Sequence, residues 1–179
     1  GLSSQFVWFR NYVDTIGDAA WLQAAWFTTI FSALVTFLSL GIALLLAVKA
    51  NEVIRGASTY KTTLMWAYAI APPVAGLMGN LMFHPLIGDL YKFFNAIGWD
   101  FNHKLDSFDA GFVVVLIAVW KQVSVNFIFF LSGLQGISKA VNEAALMDCK
   151  SPTRRFWTIT FPLLAPTTFF LMVINITYA

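Results

Sequence analysis

Few side chains here could carry covalent chemistry. His84 and His103, with Asp89 and Asp106, are the candidates for an acid–base or metal cluster outside the apolar stretches, and their spacing matches no metal-binding motif. The single Cys149 supplies neither an internal disulfide nor a thiolate zinc site. The group that demands an explanation is Lys121, which lies near the middle of an apolar stretch of about residues 110–134. An ammonium in hydrocarbon is costly unless it faces a partner or water, so it marks a functional position. Facing a water-filled path, it could bind an anionic solute. Alternatively, it could pair with a carboxylate or with backbone carbonyls of another helix, or snorkel toward the interface. At about 100° per residue, Lys121 shares one broad polar face with Gln122, Ser124, Asn126 and Ser132. Leu116, Trp120, Val123, Phe127, Phe130, Leu131 and Leu134 form the opposite face, suited to lipid or apolar neighbours.

The elements that must position this lysine follow from composition. Hydrophobic residues make up 59% of the chain and charged residues 11%, where a soluble domain carries about 25% charged residues. Residues 19–48 contain no Asp, Glu, Lys or Arg, and about 20 apolar residues suffice to cross a bilayer core. Four apolar segments are expected, at about 21–48, 62–83, 110–134 and from 161 onward. No basic run suggests nucleic acid. Lys49, Arg55 and Lys61, and then Lys139, Lys150, Arg154 and Arg155, place the loops 49–61 and 135–160 on the cytoplasmic side; 1–20 and the acid-rich 84–109 fall outside.

Two local signals refine this picture. Pro72-Pro73 removes two backbone donors from the second segment, predicting a break that is either a packing kink or a discontinuity lining a solute path. Leu86, Leu90, Phe93, Phe94 and Ile97 recur at helical spacing before Gly98, predicting a short amphipathic helix at the outer interface. Trp8, Trp21, Trp26 and Trp99 are placed as belt aromatics.

The loop 136–166 reads as helix, turn at Cys149-Lys150, second helix opened by Ser151-Pro152, and return to the membrane near Pro162. Ile137, Val141, Ala144 and Ala145 form an apolar stripe of mostly small residues, and Lys139 and Glu143 an expected i,i+4 pair. Such helices suit docking into a groove of a partner, or lying on anionic lipid with Arg154 and Arg155 on phosphates.

Glu143-Ala144-Ala145, followed by Asp148, Ile159 and Pro162, resembles in type and spacing the EAA loop of ABC-importer permease subunits. Asn11-Tyr12, Ala71-Pro72, His84-Pro85, Trp120-Lys121 and Gly133-Leu134-Gln135 sit where carbohydrate-uptake permeases carry similar patterns. The runs VWFRNYVD, IFSALVTF, YAIAP, VWKQVSVNFIFF and RRFWTITFPLLAP resemble the branch of that family that carries glycerol phosphates. The resemblance implies an all-α, polytopic transmembrane bundle of the type I importer permease kind. Residues 1–179 would form one permease domain, lacking a first span and the last one or two, with a cytoplasmic helix–turn–helix coupling loop at 136–162.

The resemblance also implies function. The chain would be a multi-pass subunit of a bacterial inner membrane, surrounded by lipid and paired with a second, different permease subunit. A pair of ATP-binding subunits would dock on the loop through Glu143, Ala144, Ala145 and Asp148. ATP and Mg would reside in those partners, and this chain would bind no cofactor and catalyse nothing itself. A periplasmic binding protein would deliver the solute, sn-glycerol 3-phosphate or a related glycerophosphodiester. Lys121, Ser124, Asn126 and Pro72 are the expected path residues. Trp120-Lys121 is also similar to permeases for neutral sugars, which argues against Lys121 as a phosphate ligand and keeps a neutral sugar open as the solute. Outside the family, a secondary transporter would need a coupling-ion site, yet the expected spans hold no Asp or Glu. A membrane enzyme would need the histidine cluster discounted above. One departure stands out: Cys149 occupies a position where the family usually has Gly, predicting strain if the turn is left-handed.

Overall fold

The structure, a computed structural model, describes residues 8–52, 57–149 and 151–178. These are helical: α1 Arg10–Ile16, α2 Ala19–Glu52, α3 Ala57–Ala69, α4 Pro72–Met82, α5 Asp89–Ala96, α6 Ser107–Gly136, α7 Lys139–Asp148, α8 Pro152–Arg155, α9 Phe161–Leu163 and α10 Ala165–Tyr178. A π-helical turn, Phe156–Thr160, joins α8 to α9. Among the described residues, α2 and α6 are each long and apolar enough to cross a membrane, and α8 to α10 qualify as a third such length if counted together across a 68° bend. The second apolar segment is not one helix. It divides into α3 and α4, and α3 begins before the expected boundary at 62.

Helix α6 is the mast of the fold. Leu40, Ala43, Ala47 and Ala50 of α2 recur at three- and four-residue spacing, and their small side chains let α6 approach closely. Phe127, Phe130, Leu131 and Leu134 of α6 fill the seam, together with Leu164 and Leu171. Near the other end of both helices, Phe27 of α2 lies beside Gly111 of α6, so α2 and α6 run parallel. The chain between them must therefore return. Leu64 of α3 packs with the Phe127–Leu134 end of α6, while Phe83, just after α4, packs with Val113 near its start. Helix α10 also runs against α6, with Leu164 near Gly133, Phe170 against Phe129 and Asn175 bonded to Asn126.

A buried polar knot ties three helices. Asn126 and Asn175 exchange amide hydrogen bonds of 3.2 and 2.9 Å. Asn126 also donates to Ser39 Oγ at 3.1 Å, and Ser39 donates to Asn175 Oδ1 at 3.1 Å. All three residues are fully buried. Each amide finds its partners within the helix bundle.

The 83–106 connection is a second, aromatic core. Phe83, Phe94, Trp99, Phe101 and Phe112 pack ring to ring at centroid distances of 5.3–6.1 Å. Trp99 thus belongs to this core rather than to a lipid-facing belt, whereas Trp8, Trp21 and Trp26 are exposed. Helix α5 is shorter than the expected amphipathic helix: it begins at Asp89, after Leu86, and packs Leu90 and Phe94 inward while Phe93 and Ile97 are exposed, and Gly98 follows in the left-handed region at φ 89°. Buried Asp109 accepts from the Asn102 amide at 2.7 Å and anchors the connection to α6. Gly88 closes the turn before α5: a Cβ there would run into the Met82 carbonyl and the His84 backbone.

Substitutions at four positions probe this framework in the purified protein, read as thermal midpoints in detergent. Gly88→Ala is expected to destabilise by about 2 kcal/mol, because backbone and not a flexible side chain must move, while Gly41→Ala, which meets open space, is neutral or stabilising. Asn126→Leu is expected to cost about 1–2 kcal/mol by removing its bonds with Asn175 and Ser39, although Asn175 keeps Ser39 and the Leu171 carbonyl, and Asn126→Leu with Asn175→Leu less than the sum of the two single changes.

Candidate functional site

Pro72 and Pro73 occupy the first two positions of α4 and have no N–H to offer. The Tyr68 carbonyl loses its i+4 donor at Pro72. Ile70 loses its own as well, because the Val74 amide donates instead to the Ala71 carbonyl at 3.0 Å. The Lys121 ammonium fills the gap, donating to Tyr68 O at 3.2 Å and to Ile70 O. These carbonyls end α3, the negative pole of a helix, where a cation is favoured. One turn earlier on α6, Ile117 lies so close to Gly79 of α4 that even a Cβ at 79 would overlap it.

Beside this contact lies a cavity of about 570 Å³ between α2, α4, α6 and the end of α10. Its walls are mostly apolar, with Phe31, Val35, Ala75 and Val113 among them. The polar groups converging on it are Asn80, His103, Lys121, Gln122, Asn175 and Tyr178, the pattern of a small-molecule site. The Nδ1 of His103 is buried without a hydrogen-bond partner. Burial holds the pKa of this ring below its ordinary value, the positive charges of Lys104 and His84 add to that, and Asp109 partly opposes it.

The structure separates the residues expected to share a path. Lys121 and Pro72 line the cavity. Ser124 is buried away from its wall, and Asn126 is buried in the three-helix knot, whose Asn175 does reach the cavity. Ser132 is exposed. Sequence reasoning singled out neither Asn80, Asn175 nor Ser39. Their signal was available: each is a polar residue within an apolar run.

In the loop, Glu143, Ala144 and Asp148 of α7 are exposed and Ala145 is buried; Ile159 is half-buried and Pro162 exposed. Leu146 and Met147 stand out into solvent beside them. Ser138 caps α7, accepting from the Val141 amide at 3.4 Å. Lys139 and Glu143 form no ion pair within 4.0 Å; a solvated i,i+4 pair gains too little to fix two long side chains. Cys149 follows α7 at φ −128°, ψ 104°, an extended conformation any residue adopts, so the expected strain is absent. Lys150, the other half of that turn, lies outside the described residues. Ser151 stands at the predicted N-cap without a side-chain capping bond, and the helix it opens is only four residues long before the π turn.

No protein-family model matches the chain. Among curated proteins it is 47% identical over 179 residues to the sn-glycerol-3-phosphate transport system permease protein UgpA of Rhizobium meliloti, covering 100% of this chain and 61% of that protein. It is 48% identical over 181 residues to the protein of the same name from Agrobacterium fabrum, again covering 100% and 61%. The chain thus spans about three-fifths of the length of these relatives. Among solved structures it superposes with a TM-score of 0.84, at 20% identity, on a bacterial ABC transporter involved in the import of the acidic polysaccharide alginate, covering 97% of this chain and 62% of that one. A bacterial alginate ABC transporter in complex with its pentasaccharide-bound periplasmic protein gives a TM-score of 0.82 at 22% identity, covering 96% and 60%. The sequence match and the fold agree: over its whole length the chain is similar to about three-fifths of permease proteins named for sn-glycerol-3-phosphate transport, and it shares the fold of the alginate ABC transporters.

Proposed function

We propose that this chain is the translocating part of an ATP-driven importer of sn-glycerol 3-phosphate or a related glycerophosphodiester. The observation that carries this reading is the sequence match, which runs without loss through all 179 residues, loop and apolar helices alike, to permeases named for that solute. The cavity between α2, α4 and α6 is the segment of the path held by this chain. Its apolar walls with a few convergent donors suit a small polyol derivative. A neutral sugar is the second reading. It is favoured by the engagement of Lys121 with two carbonyls, which occupies donors that an anionic solute would otherwise take.

The lysine- and arginine-rich side of the bundle faces the cytoplasm of a bacterial inner membrane, and the aromatic 83–106 connection faces outward to a periplasmic binding protein. A second permease subunit completes the path. On the cytoplasmic side, α7 presents Glu143, Ala144 and Asp148, flanked by exposed Leu146 and Met147, to a pair of ATP-binding subunits that carry ATP and Mg. Ile159 and Pro162 belong to the second limb of the loop, the first half-buried and the second exposed. In this assembly the chain moves solute and makes or breaks no covalent bond.

The test is co-purification from membranes expressing the full-length permease with its candidate ATPase. Wild type is expected to retain the ATPase, and Glu143→Lys to lose about tenfold or more of it with the permease itself still folded, as for a charge reversed at a docking contact. A stable wild-type permease that brings down no ATPase, and takes up no sn-glycerol 3-phosphate with the ATPase present, would defeat the importer reading.

A further inference from the structure

Lys121 lines the cavity, but its ammonium points its donors at the backbone of a neighbouring helix. Three facts define what that contact does. The proline pair strips donors from the break between α3 and α4, and the Val74 amide turns to Ala71 instead of Ile70. The lysine restores donors to Tyr68 and Ile70 from outside the helix. The same face of α6, one turn away, locks onto α4 at Gly79 through Ile117. Helix α6 therefore grips the broken segment on both sides of its break, once by charge and once by shape.

We propose that Lys121 is a positioning residue of the transport cycle: it pins the α3–α4 break to α6 and so sets where α4 stands as a wall of the cavity, without binding the solute. This deepens the reading of the cavity as a solute path and rests on it. A compact ammonium suits the role. It presents three donors in a small volume at the negative end of α3, where they replace missing peptide N–H groups. In an apolar slab, carbonyls stripped of donors would otherwise draw in water or force α4 to shift. Gly76 and Gly79 leave α4 a slim face toward the cavity and α6, so a change of angle at the break would move the wall directly.

The experiment uses the full-length permease assembled with its partner subunits in liposomes, with sn-glycerol 3-phosphate as the probe. Lys121→Met is expected to lower maximal uptake about tenfold or more while the half-saturating concentration stays within about twofold. Lys121→Arg, which keeps the donors, is expected to recover most of the rate. Hydrogen exchange read without substrate is expected to accelerate over residues 68–76 in Lys121→Met alone. Pro72→Ala gives an N–H back to the Tyr68 carbonyl, so in that background Lys121→Met should cost clearly less, a non-additivity that solute binding does not produce. If Lys121→Met fails to assemble, rescue of assembly by Pro72→Ala supports the pin, and failure of rescue overturns it. A half-saturating concentration raised about tenfold with unchanged exchange and full additivity would make Lys121 a solute ligand and overturn the proposal. Absence of uptake by the wild type would strike the proposed function alone, because exchange at the break decides the role of Lys121 without any solute.

Discussion

A peptide carbonyl inside an apolar slab must find a donor, either from the protein or from water held in a cavity. Helices meet this demand along their length, and the α3–α4 break violates it by placing two prolines in succession. The fold answers with a single side chain from elsewhere, the Lys121 ammonium on Tyr68 and Ile70. The same rule governs the other polar intrusion. Asn126, Asn175 and Ser39 are buried, and they are tolerable there because they satisfy one another across three helices. Both solutions are built on α6, which is why α6 organises the structure.

The two sides of α6 do different work. Toward its C-terminal half, Phe127, Phe130, Leu131 and Leu134 pack against the alanine-lined seam of α2, Leu171 of α10 and Leu164 just before it, close enough that Gly133 lies against Leu164. That half is fixed. Toward its N-terminal half, α6 faces the cavity, and the opposing wall is α4, held at Gly79 and at the break. A packed seam thus holds one end of α6, and a two-point grip holds α4 against the other.

Much of this was legible in the residues. Pro72-Pro73 announced the break, Gly98 the end of α5, and the charge-free run 19–48 the long α2, because each effect is local to the chain. Lys121 was conspicuous as a charge among apolar residues, and pairing with carbonyls of another helix was one of the alternatives its position allowed. What could not be read was choice of partner. Asn126 sits on the polar arc of α6 with Lys121, yet its mate Asn175 is 49 positions away, and nothing in a helical wheel connects them. Nor did the helical pattern give the extended backbone at Cys149 or the 68° bend after Leu163. That bend has a local cause, since Pro162 and Pro166 each remove a donor there. The expected Lys139–Glu143 pair failed for the opposite reason: on a solvated helix the local attraction is too weak to fix it.

The central claim is that the cavity beside the α3–α4 break is a wetted path for solute and that the α2–α6–α10 seam is closed. Thiol accessibility tests it most directly. In the full-length permease with Cys149→Ser, assembled with its partners, single cysteines at Ala118 and Gln122 on the cavity wall and at Phe127 in the seam would be exposed to a small charged thiol reagent. The account predicts labelling at Ala118 and Gln122, slowed by saturating sn-glycerol 3-phosphate presented with its binding protein, and none at Phe127. Unreactive cavity cysteines, or labelling that solute leaves unchanged while the seam reacts as readily, would contradict it.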